Sequence, residues 1–526
     1  MRMSKWQKVQ AILNFLSLDV HSRRFKSYLK LQYPIKNQVN RMILVEFEQS
    51  PDNVIALAQF LPSLREKYKA NTISYLMRAK SKFPNHLNLL RYRMSTSNLV
   101  VGGNLRTLLY SYDEAIAKFP QILAILDSIN SARDLVQLKI DGIEIGDLIY
   151  DKYLAWEHAP TVHVQTPKFR EITVECLFYF YSWKKLLSEW DVAAICISHS
   201  VYHFAIPSRI AISRKIDVYQ VSTDSIYRLD DTHMMALKEE KYFPQEFDKL
   251  TSSEKTAGIQ AAREKLQKRF SGDLSADLPY MSKSAFIESN GSLPPKSFPE
   301  QTVFVVAAHD FYDSPHVFGQ NFYPDFYLWI KRLGELSKET DYVWLVKTHP
   351  YLRGAGREIL SDLCNEFPKL TLLPQDMGHL DLLKYGISAV LTVYGTVASE
   401  YACFGIPTIN ATNNNPHAAY NFSFTPKNLE EYEDLILNFR DRPLILDYEK
   451  VYEYYFMKHL RYRKSWVFNS YDDYVSDTQF GIKGMDRSVY SYFLSEKNNL
   501  PKSEYMCQLE EFLSQEDYKF QLKSIL

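Results

Sequence analysis

Short apolar runs alternate with helical and polar stretches along most of the chain, and the segment from Val343 to Ile409 shows this most clearly. Strand, polar loop and helix follow one another four times there, and the apolar runs are Val343–Lys347, Leu370–Leu373, Ala389–Val393 and Thr408–Asn410. Such alternation is typical of a parallel sheet buried on both faces. Ligands of these sheets lie beyond the carboxyl ends of the strands, where this segment has polar residues. It therefore predicts a ligand site, and its small and basic residues indicate a phosphate.

The preceding part of the chain predicts another α/β domain. Strands are predicted from Met42 and over residues 72–77, 98–101, 193–197 and 218–221, and a helix is predicted from Pro51 to about Tyr68. Residues 287–301 contain Gly, Ser and three Pro, which predicts a linker. The strand Val303–Ala307 then opens the second domain.

These features divide the chain into five predicted parts. A basic amphipathic segment (1–41) is followed by an N-terminal Rossmann-like domain (42–286), the linker (287–301), a C-terminal Rossmann-like domain (302–430) and a helical C-terminal region (431–526). A chain of 526 residues is too long for one core. The predicted fold class is α/β, with two Rossmann-like parallel-sheet domains facing a cleft.

The formal net charge of zero gives no indication of nucleic-acid binding. Residues 1–41 differ, because they hold nine Lys and Arg against one acid, Asp19, a net charge of +8. The apolar residues that share one helical face there are Trp6, Val9, Ile12, Leu13 and Leu16. A basic amphipathic helix can bind an anionic membrane surface. An ordinary helix packed on the domain is the alternative.

Cysteine usage and hydropathy bear on the compartment. The five cysteines are scattered without a CxxC pair, which indicates a reducing compartment and no structural zinc. No apolar run approaches the length of a membrane span, and no signal peptide is visible. The chain is predicted to be cytoplasmic, with residues 1–41 suited to peripheral contact with the inner face of the cytoplasmic membrane.

Lys347 and His349 stand at the end of a predicted strand. Pro350 favours an extended conformation at His349, which ends the strand and directs the imidazole outward. A lysine and a histidine in this position can bind a phosphate or stabilise a leaving group. A histidine packed in the structure is the alternative.

The run from Tyr394 to Glu400 predicts a strand end, a glycine turn and the start of a helix. Thr396 or Ser399 could cap that helix, whose free N–H groups attract phosphate. Glu400 in the first turn suits ribose hydroxyls, or else it only interacts favourably with the helix dipole.

Two histidines and two aspartates follow the strand at 303–307, and they are His309, Asp310, Asp313 and His316. This density suits general acid–base chemistry or phosphate contacts. These residue types also bind metals, but no further ligand cluster completes such a site, and no metal is predicted.

In the first domain, His199 and His203 follow a strand end and could supply the base that deprotonates an acceptor hydroxyl. They could equally be satisfied polar residues. Glu46 and Asp224, which follow other strands, are further candidates. No GxxxxGK[ST] loop, GxSxG elbow or HExxH helix occurs, so kinase, P-loop ATPase, α/β-hydrolase and zincin functions are unsupported.

The layout resembles the GT-B fold of nucleotide-sugar glycosyltransferases, which implies a GT-B-like acceptor domain at 42–286 and a nucleotide-sugar donor domain at 302–430. His349-Pro350 is similar to the HP motif of bacterial capsule and surface-polysaccharide transferases, which include the Kdo transferases and polysialyltransferases that use CMP-sugars. Residues 394–407 resemble their donor-binding strand, turn and helix. Residues 309–329 resemble a segment of uncharacterised surface-polysaccharide proteins. The resemblance extends over about residues 300–425, and the acidic-Gly motif that accompanies the HP motif in sialyltransferases is not found.

The resemblance implies transfer of a sugar from a nucleotide donor, with a CMP-sugar such as CMP-Kdo favoured, to a bacterial surface polysaccharide or its lipid-linked precursor. It implies that His349, Thr396 and Ser399 bind phosphate, that Glu400 holds ribose, and that no metal or cofactor is needed. The full set of predicted donor-binding residues is Lys347, His349, Tyr394, Gly395, Thr396, Ser399 and Glu400. The candidate catalytic residues are His199, His309, Asp310 and Asp313.

Three other functions fit the same residues. They are a CDP-glycerol or CDP-ribitol polymer phosphotransferase, a nucleotide-sugar 2-epimerase that needs no acceptor, and a non-catalytic GT-B scaffold in a glycan-assembly complex.

Overall fold

A computed structural model gives the structure of the chain. It describes residues 6, 9, 12, 13, 16, 18–32, 40–48, 50–76, 89–100, 105–107, 117–235, 239–272, 286, 301–349, 352–443, 445–469, 487–495, 502–515 and 517–523. Almost all of the linker predicted at 287–301 lies outside the described residues, as does Pro350 of the predicted motif.

Strands and helices alternate through most of the described chain. The strands are β1 (Met42–Glu46), β2 (Asn71–Leu76), β3 (Leu105–Thr107), β4 (Lys139–Ile140), β5 (Ile143–Glu144), β6 (Val192–Ile197), β7 (Asp217–Val221), β8 (Ile226–Leu229), β9 (Val303–Ala307), β10 (Val343–Lys347), β11 (Leu370–Leu372), β12 (Ala389–Thr392), β13 (Thr408–Asn410) and β14 (Lys519–Phe520).

The α-helices are α1 (Val20–Gln32), α2 (Pro51–Tyr68), α3 (Ser97–Val100), α4 (Phe119–Ser128), α5 (Ala132–Val136), α6 (Gly146–Glu157), α7 (Pro167–Glu189), α8 (Ile206–Ser213), α9 (Phe243–Asp248), α10 (Ser252–Phe270), α11 (Phe326–Ser337), α12 (Gly356–Glu366), α13 (His379–Leu383), α14 (Val397–Ala402), α15 (Leu429–Leu437), α16 (Lys450–Tyr455), α17 (Ser488–Phe493) and α18 (Lys502–Gln515). No described helix is long and apolar enough to cross a membrane.

The chain forms two compact units, and each is built from separate stretches of sequence. The first unit comprises Met1–Ile125, Val174–Ala236 and Tyr462–Ser524, and the second comprises Leu126–Thr173, Leu237–Arg461 and Ile525–Leu526. These units differ from the predicted domains, because residues 126–173 and 237–286 belong with the second sheet and residues 462–524 with the first.

Burial of apolar side chains explains why the C-terminal region returns to the first unit. Trp466, Tyr505 and Phe512 lie in the same buried core as strands β1, β6 and β7. Strand β14 also adds to the edge of that sheet by pairing with β8. The predicted helical region at 431–526 is therefore divided between the two units.

The first sheet has the strand order β14-β8-β7-β6-β1-β2-β3. Strands β7, β6, β1, β2 and β3 are parallel, as predicted, but β8 and β14 are antiparallel to their neighbours. Because β8 follows β7 after a short turn, it can only return along the same edge in the antiparallel direction.

The strand predicted at residues 98–101 is wrong, because Ser97–Val100 forms helix α3. The Ser95 hydroxyl accepts a hydrogen bond from the Ser97 N–H (3.2 Å), and the Leu99 N–H donates to the carbonyl of Thr96 (3.1 Å). Serine hydroxyls that bond the local backbone favour turns over strands. An apolar run this short does not distinguish the two on its own.

The second sheet confirms the parallel strands that the apolar runs of Val343–Ile409 predict. Its order is β11-β10-β9-β12-β13 with every pair parallel. Alternate residues of β9 enter different cores, with Phe304 and Val306 in one and Val303 and Val305 in the other. The sheet is therefore buried on both faces, and the fold class is α/β with two Rossmann-like units.

The strand order of each sheet reverses direction at one point. In the second sheet the chain runs outward from β9 to β10 and β11, then returns to place β12 on the other side of β9. In the first sheet the same reversal places β6 beside β1. Ligands of open α/β sheets bind at such points, beyond the carboxyl ends of the two strands. The carboxyl ends of β9 and β12, and those of β1 and β6, are therefore the candidate ligand sites.

Candidate functional site

His309 joins the ends of β9 and β12. It follows β9, and its Nε2 accepts a hydrogen bond from the backbone N–H of Val393 (3.2 Å) and lies 2.9 Å from Thr392 Oγ1. Because Nε2 accepts from Val393 and carries no hydrogen, the threonine hydroxyl donates to it, and the same Oγ1 accepts from the N–H of Gly395 (3.2 Å). One imidazole thus fixes the turn that leads into helix α14.

The surroundings of His309 keep its imidazole neutral. The ring stacks on Phe326 at a centroid distance of 4.5 Å and lies 5.0 Å from the ring of Tyr394. Burial lowers the pKa of His309 to about 3, and the nearby His349 contributes to the decrease. Because Nε2 accepts from Val393, the ring proton is on Nδ1. His309 is therefore arranged as a hydrogen-bond donor through Nδ1, and its Nε2 is not available as the base that the sequence suggested.

Gly395 is required by the close approach of this turn to its neighbours. A Cβ atom there would lie 2.8 Å from Thr392 Oγ1 and 3.3 Å from Val397 Cγ1. The oxygen would have to move, and it is the atom that connects Gly395 to His309. The glycine turn predicted from sequence is thus explained by packing at the strand end.

Gly395→Ala is expected to weaken binding of the phosphate-containing ligand predicted for this strand end about fivefold, because displacement of the Thr392 hydroxyl removes roughly 1 kcal/mol of hydrogen bonding from the turn. Isothermal titration of the wild type and the variant with CMP would measure the effect. Unchanged affinity would show that the turn does not contribute to ligand binding.

His349 and Lys347, both predicted at the end of β10, have different surroundings. His349 is half-buried and close enough to His309 to affect its pKa, so two imidazoles lie at one sheet edge. Lys347 is buried, and its Nζ donates to the backbone carbonyl of Met377 at 2.7 Å. Burial lowers the pKa of Lys347. The ammonium group therefore stabilises the loop after β11, in contrast to the predicted phosphate contact.

Asp310 and Asp313 hold an arginine that the sequence analysis did not single out. Asp310 is buried, and its Oδ2 accepts a hydrogen bond from Arg353 Nε. Asp313 is exposed, with Oδ1 4.0 Å from Arg353 Nη2. The Arg353 side chain remains 51% exposed. Its position four residues after His349, in the loop after β10, is the signal that could have identified it.

Helix α14 does not have the predicted caps. Thr396 precedes it but makes no side-chain capping bond, and the Ser399 hydroxyl donates to the carbonyl of Thr396 at 2.8 Å. The helix has six residues. Because its end is short and uncapped, the helix N terminus alone does not account for a phosphate site.

Glu400 has a partner other than the predicted ribose. Its Oε1 accepts from Arg269 Nη2 at 2.5 Å, and both side chains are buried. Arg269 lies on α10, 131 residues earlier in the chain. A carboxylate buried against a guanidinium stabilises the packing of α14 on α10, and that is the role that the structure gives to Glu400.

A second buried network supports the loop that carries His309. His316 Nδ1 lies 2.5 Å from Asp151 Oδ1, and the Ser314 hydroxyl donates to Asp151 Oδ2. Both members of the Asp151–His316 pair are 1% exposed. The Tyr394 hydroxyl donates to the carbonyl of Ser314 (3.0 Å), which connects the loop to the strand end of β12. His316, one of the four acid–base candidates of this loop, therefore has a positioning role.

The β1/β6 strand ends of the first unit carry a separate hydrogen-bonded group. The Ser198 N–H and hydroxyl both donate to Glu46 Oε2, at 2.8 and 2.7 Å. His199 Nδ1 lies 2.8 Å from the same hydroxyl oxygen, and the His199 side chain is exposed. His203 is buried instead, and Asp224 accepts bonds from Ser222 and Ser225. Of the candidates in this unit, His199 is the one that combines exposure with a bonded ring nitrogen.

No protein-family model matches the chain, and no curated protein matches it. Among solved structures it is similar to UDP-GlcNAc 2-epimerase of Neisseria meningitidis bound to UDP-GlcNAc, at 12% identity over 79% of this chain and 95% of that chain, with a TM-score of 0.24. The same enzyme of Methanocaldococcus jannaschii, in complex with UDP-GlcNAc and UDP, matches at 11% over 79% and 98%, with a TM-score of 0.25. A glycosyltransferase from Rickettsia africae ESF-5 matches at 11% over 88% and 100%, with a TM-score of 0.24. At these TM-scores, no function is inferred from the similarity.

Proposed function

We propose that the protein is a glycosyltransferase that takes its sugar from a nucleotide-sugar bound at the β9/β12 strand ends of the second unit. The observation that carries this proposal is the pair of imidazoles there, one of them fixed as a neutral donor by Thr392 and Val393. A CMP-sugar such as CMP-Kdo is the favoured donor, and a bacterial surface polysaccharide or its lipid-linked precursor is the favoured acceptor. Both preferences come from the resemblance around His349.

Three groups at this edge suit the phosphate of such a donor. His309 offers Nδ1–H, His349 lies beside it, and Arg353 supplies a half-exposed guanidinium held by Asp310. Charge-assisted and preorganised donors of this kind stabilise negative charge that develops on a leaving group. They take the place that the sequence analysis gave to Lys347 and the α14 N terminus. No metal is part of the proposal.

The proposed reaction is displacement at the anomeric carbon of the sugar. The acceptor hydroxyl oxygen forms a bond to that carbon as the bond from the carbon to the phosphate oxygen breaks. The electron pair of the broken bond stays on the nucleotide phosphate. The hydroxyl proton passes to a general base.

A panel of CMP-, CDP-, UDP- and GDP-sugars, incubated with the full-length chain and analysed for released nucleotide and for altered sugar, tests the function. Release of one nucleotide, increased by a glycan acceptor, is the expected result. An isomerised sugar without release would indicate an epimerase instead, and turnover of CDP-glycerol would indicate a polymer phosphotransferase. If no nucleotide bound at all, the scaffold function would replace the enzyme.

We also propose that the N-terminal segment contacts an anionic membrane. The described apolar residues Trp6, Val9 and Ile12 are helical and 71%, 44% and 58% exposed, so they are not packed on the domain. Helix α1, by contrast, buries Phe25 and Leu29 completely or nearly so. The alternative of a packed helix therefore holds for α1 and does not hold for these three residues.

Trp6→Ser combined with Ile12→Ser is expected to abolish binding to vesicles that contain anionic lipid, because the two side chains supply most of the exposed apolar area of this face. Co-sedimentation of the full-length chain with such vesicles measures this. Trp156→Ser, at an exposed tryptophan of α6, is the matched control and should bind like the wild type. Equal binding by the double variant would exclude the segment as the membrane contact.

A further inference from the structure

Glu46 and Ser198 are brought together by the strand reversal in the first sheet. Strands β1 and β6 are parallel neighbours, with Val45 opposite Cys196, so the two strands end at the same edge of the sheet. Ser198 donates both its N–H and its hydroxyl hydrogen to one oxygen of Glu46, over 2.8 and 2.7 Å. His199 Nδ1 lies 2.8 Å from the hydroxyl oxygen. The three residues therefore form a continuous chain from carboxylate through hydroxyl to imidazole.

When Glu46 is ionised, counting hydrogens along this hydrogen-bond chain fixes the tautomer of the imidazole. A serine hydroxyl has one hydrogen, and Glu46 receives it. The bond between Ser198 Oγ and His199 Nδ1 must then be donated by the histidine. In a neutral ring, Nδ1 carries the proton and Nε2 carries the lone pair. Nε2 is on the side of the ring away from Ser198, and the side chain is exposed.

We infer that Glu46 and Ser198 are positioning residues that hold His199 in its Nδ1–H tautomer, so that Nε2 can accept a proton from a hydroxyl of a ligand bound at the β1/β6 strand ends. As the O–H bond of that hydroxyl breaks, the electron pair stays on its oxygen and the proton goes to Nε2. The imidazolium that forms donates through Nδ1 to Ser198, whose hydroxyl is in turn bonded to Glu46.

The pKa shifts of Glu46 and His199 agree with the geometry of this hydrogen-bond chain. Burial raises the pKa of Glu46 to about 7, although the Ser198 bonds favour the carboxylate, and the charge of Glu48 adds to the increase. Tyr75, opposite Glu46 on β2, is the other titratable neighbour. Although the His199 side chain reaches solvent, surrounding protein groups partly desolvate the ring and lower its pKa, which keeps it neutral at neutral pH.

The tautomer of His199 depends on the protonation of Glu46 and therefore on pH. Above pH 7, Glu46 is a carboxylate and accepts from Ser198. As the pH falls through about 7, Glu46 gains a proton and can donate it to Ser198 Oγ. The serine hydrogen is then released to His199 Nδ1, and the ring proton moves to Nε2. The tautomer that can act as a base is therefore present above pH 7 and is lost below it.

The imidazole nitrogen chemical shifts of ¹⁵N-histidine-labelled, substrate-free protein at pH 8.5 test this inference. His199→Asn identifies the His199 signals by their loss. The wild type should show a protonated Nδ1 and an unprotonated Nε2. Ser198→Ala should give both tautomers, and Ser198→Thr, which keeps a hydroxyl, should restore the single one. Ser222→Ala removes a hydroxyl at the neighbouring end of β7, where it bonds to Asp224, and should match the wild type.

Two results would overturn the inference, namely a wild-type His199 with its proton on Nε2, or a Ser198→Ala signal identical to that of the wild type. Because no substrate is present, this outcome is independent of whether the chain transfers sugar. Failure of the panel with a confirmed tautomer would reject the proposed reaction and leave the hydrogen-bond chain intact.

Discussion

His349→Ala should reduce kcat for sugar transfer by about 10²–10³-fold, the usual effect of removing one preorganised donor from a developing negative charge. The residue lies two positions after the end of β10 and close enough to His309 to affect its pKa. Its removal leaves Arg353 and the neutral His309 as the proposed phosphate contacts. The fold should persist, because the side chain is half-buried at a strand end and lies outside the two cores of the sheet.

The measurement is kcat and KM with the donor that the wild type uses, together with circular dichroism to show that the fold is retained. His163→Ala, at an exposed histidine outside the site, is the matched control and should leave both constants unchanged. Wild-type turnover by the His349 variant would contradict the proposed role of His349 at this site.

Asp151→Ala should reduce the free energy of unfolding by about 3–5 kcal/mol, because it leaves a buried histidine without its counter-charge. The carboxylate bonds both His316 and the Ser314 hydroxyl, and the two side chains of the ion pair are 1% exposed. The loop from His309 to His316 then loses these two hydrogen bonds to helix α6. Nucleotide binding should weaken as well, although Asp151 makes no contact with the strand ends itself.

Denaturant unfolding followed by fluorescence measures the loss, with Asp313→Ala as the control at an exposed aspartate of the same loop. That control is expected to stay within about 0.5 kcal/mol of the wild type. A similarly small change in the Asp151 variant would mean that the buried pair does not stabilise the loop.

The pair also gives a pH dependence with a definite sign. Burial alone would lower the pKa of His316, but the Asp151 carboxylate raises it above the ordinary value of 6.5. The stabilisation from the charged imidazole is therefore complete below pH 6.5 and is lost as the pH rises through the higher pKa of the folded protein. Asp151→Asn should remove this dependence.

The strand ends of the second unit were predictable because parallel strands buried on both faces need continuous apolar runs of fixed length. Each run from Val303 to Asn410 that the pattern selected became a strand of this sheet. Polar residues directly after such runs must lie at one edge. For the same reason His309, His349 and Gly395 were found from the sequence.

The partners of these residues were not predictable, because they come from distant parts of the chain. Asp151 meets His316 across 165 positions, and Arg269 meets Glu400 across 131. A local pattern contains no information on such pairs, so Glu400 was given a ribose role. Lys347 shows a related limit. Its residue type and position indicated a phosphate, whereas the carbonyl of Met377 decides where its ammonium group lies.

The division into units was mispredicted for a similar reason. A linker rich in Pro and Gly suggests a boundary, but a boundary depends on which elements share a core. Residues 462–524 bury Trp466 and Phe512 with the first sheet, and helix α6 contributes Asp151 to the second unit. Each unit thus includes segments from both sides of the predicted linker.

Crystals of the full-length protein soaked with CMP and, separately, with UDP give the most direct test of a nucleotide site at the β9/β12 strand ends. The expected result is one of the two nucleotides with its phosphate within hydrogen-bonding distance of His349 and Arg353, beside the Gly395 turn. A nucleotide bound elsewhere on the chain, or neither nucleotide bound at saturating concentration, would contradict the proposed donor site.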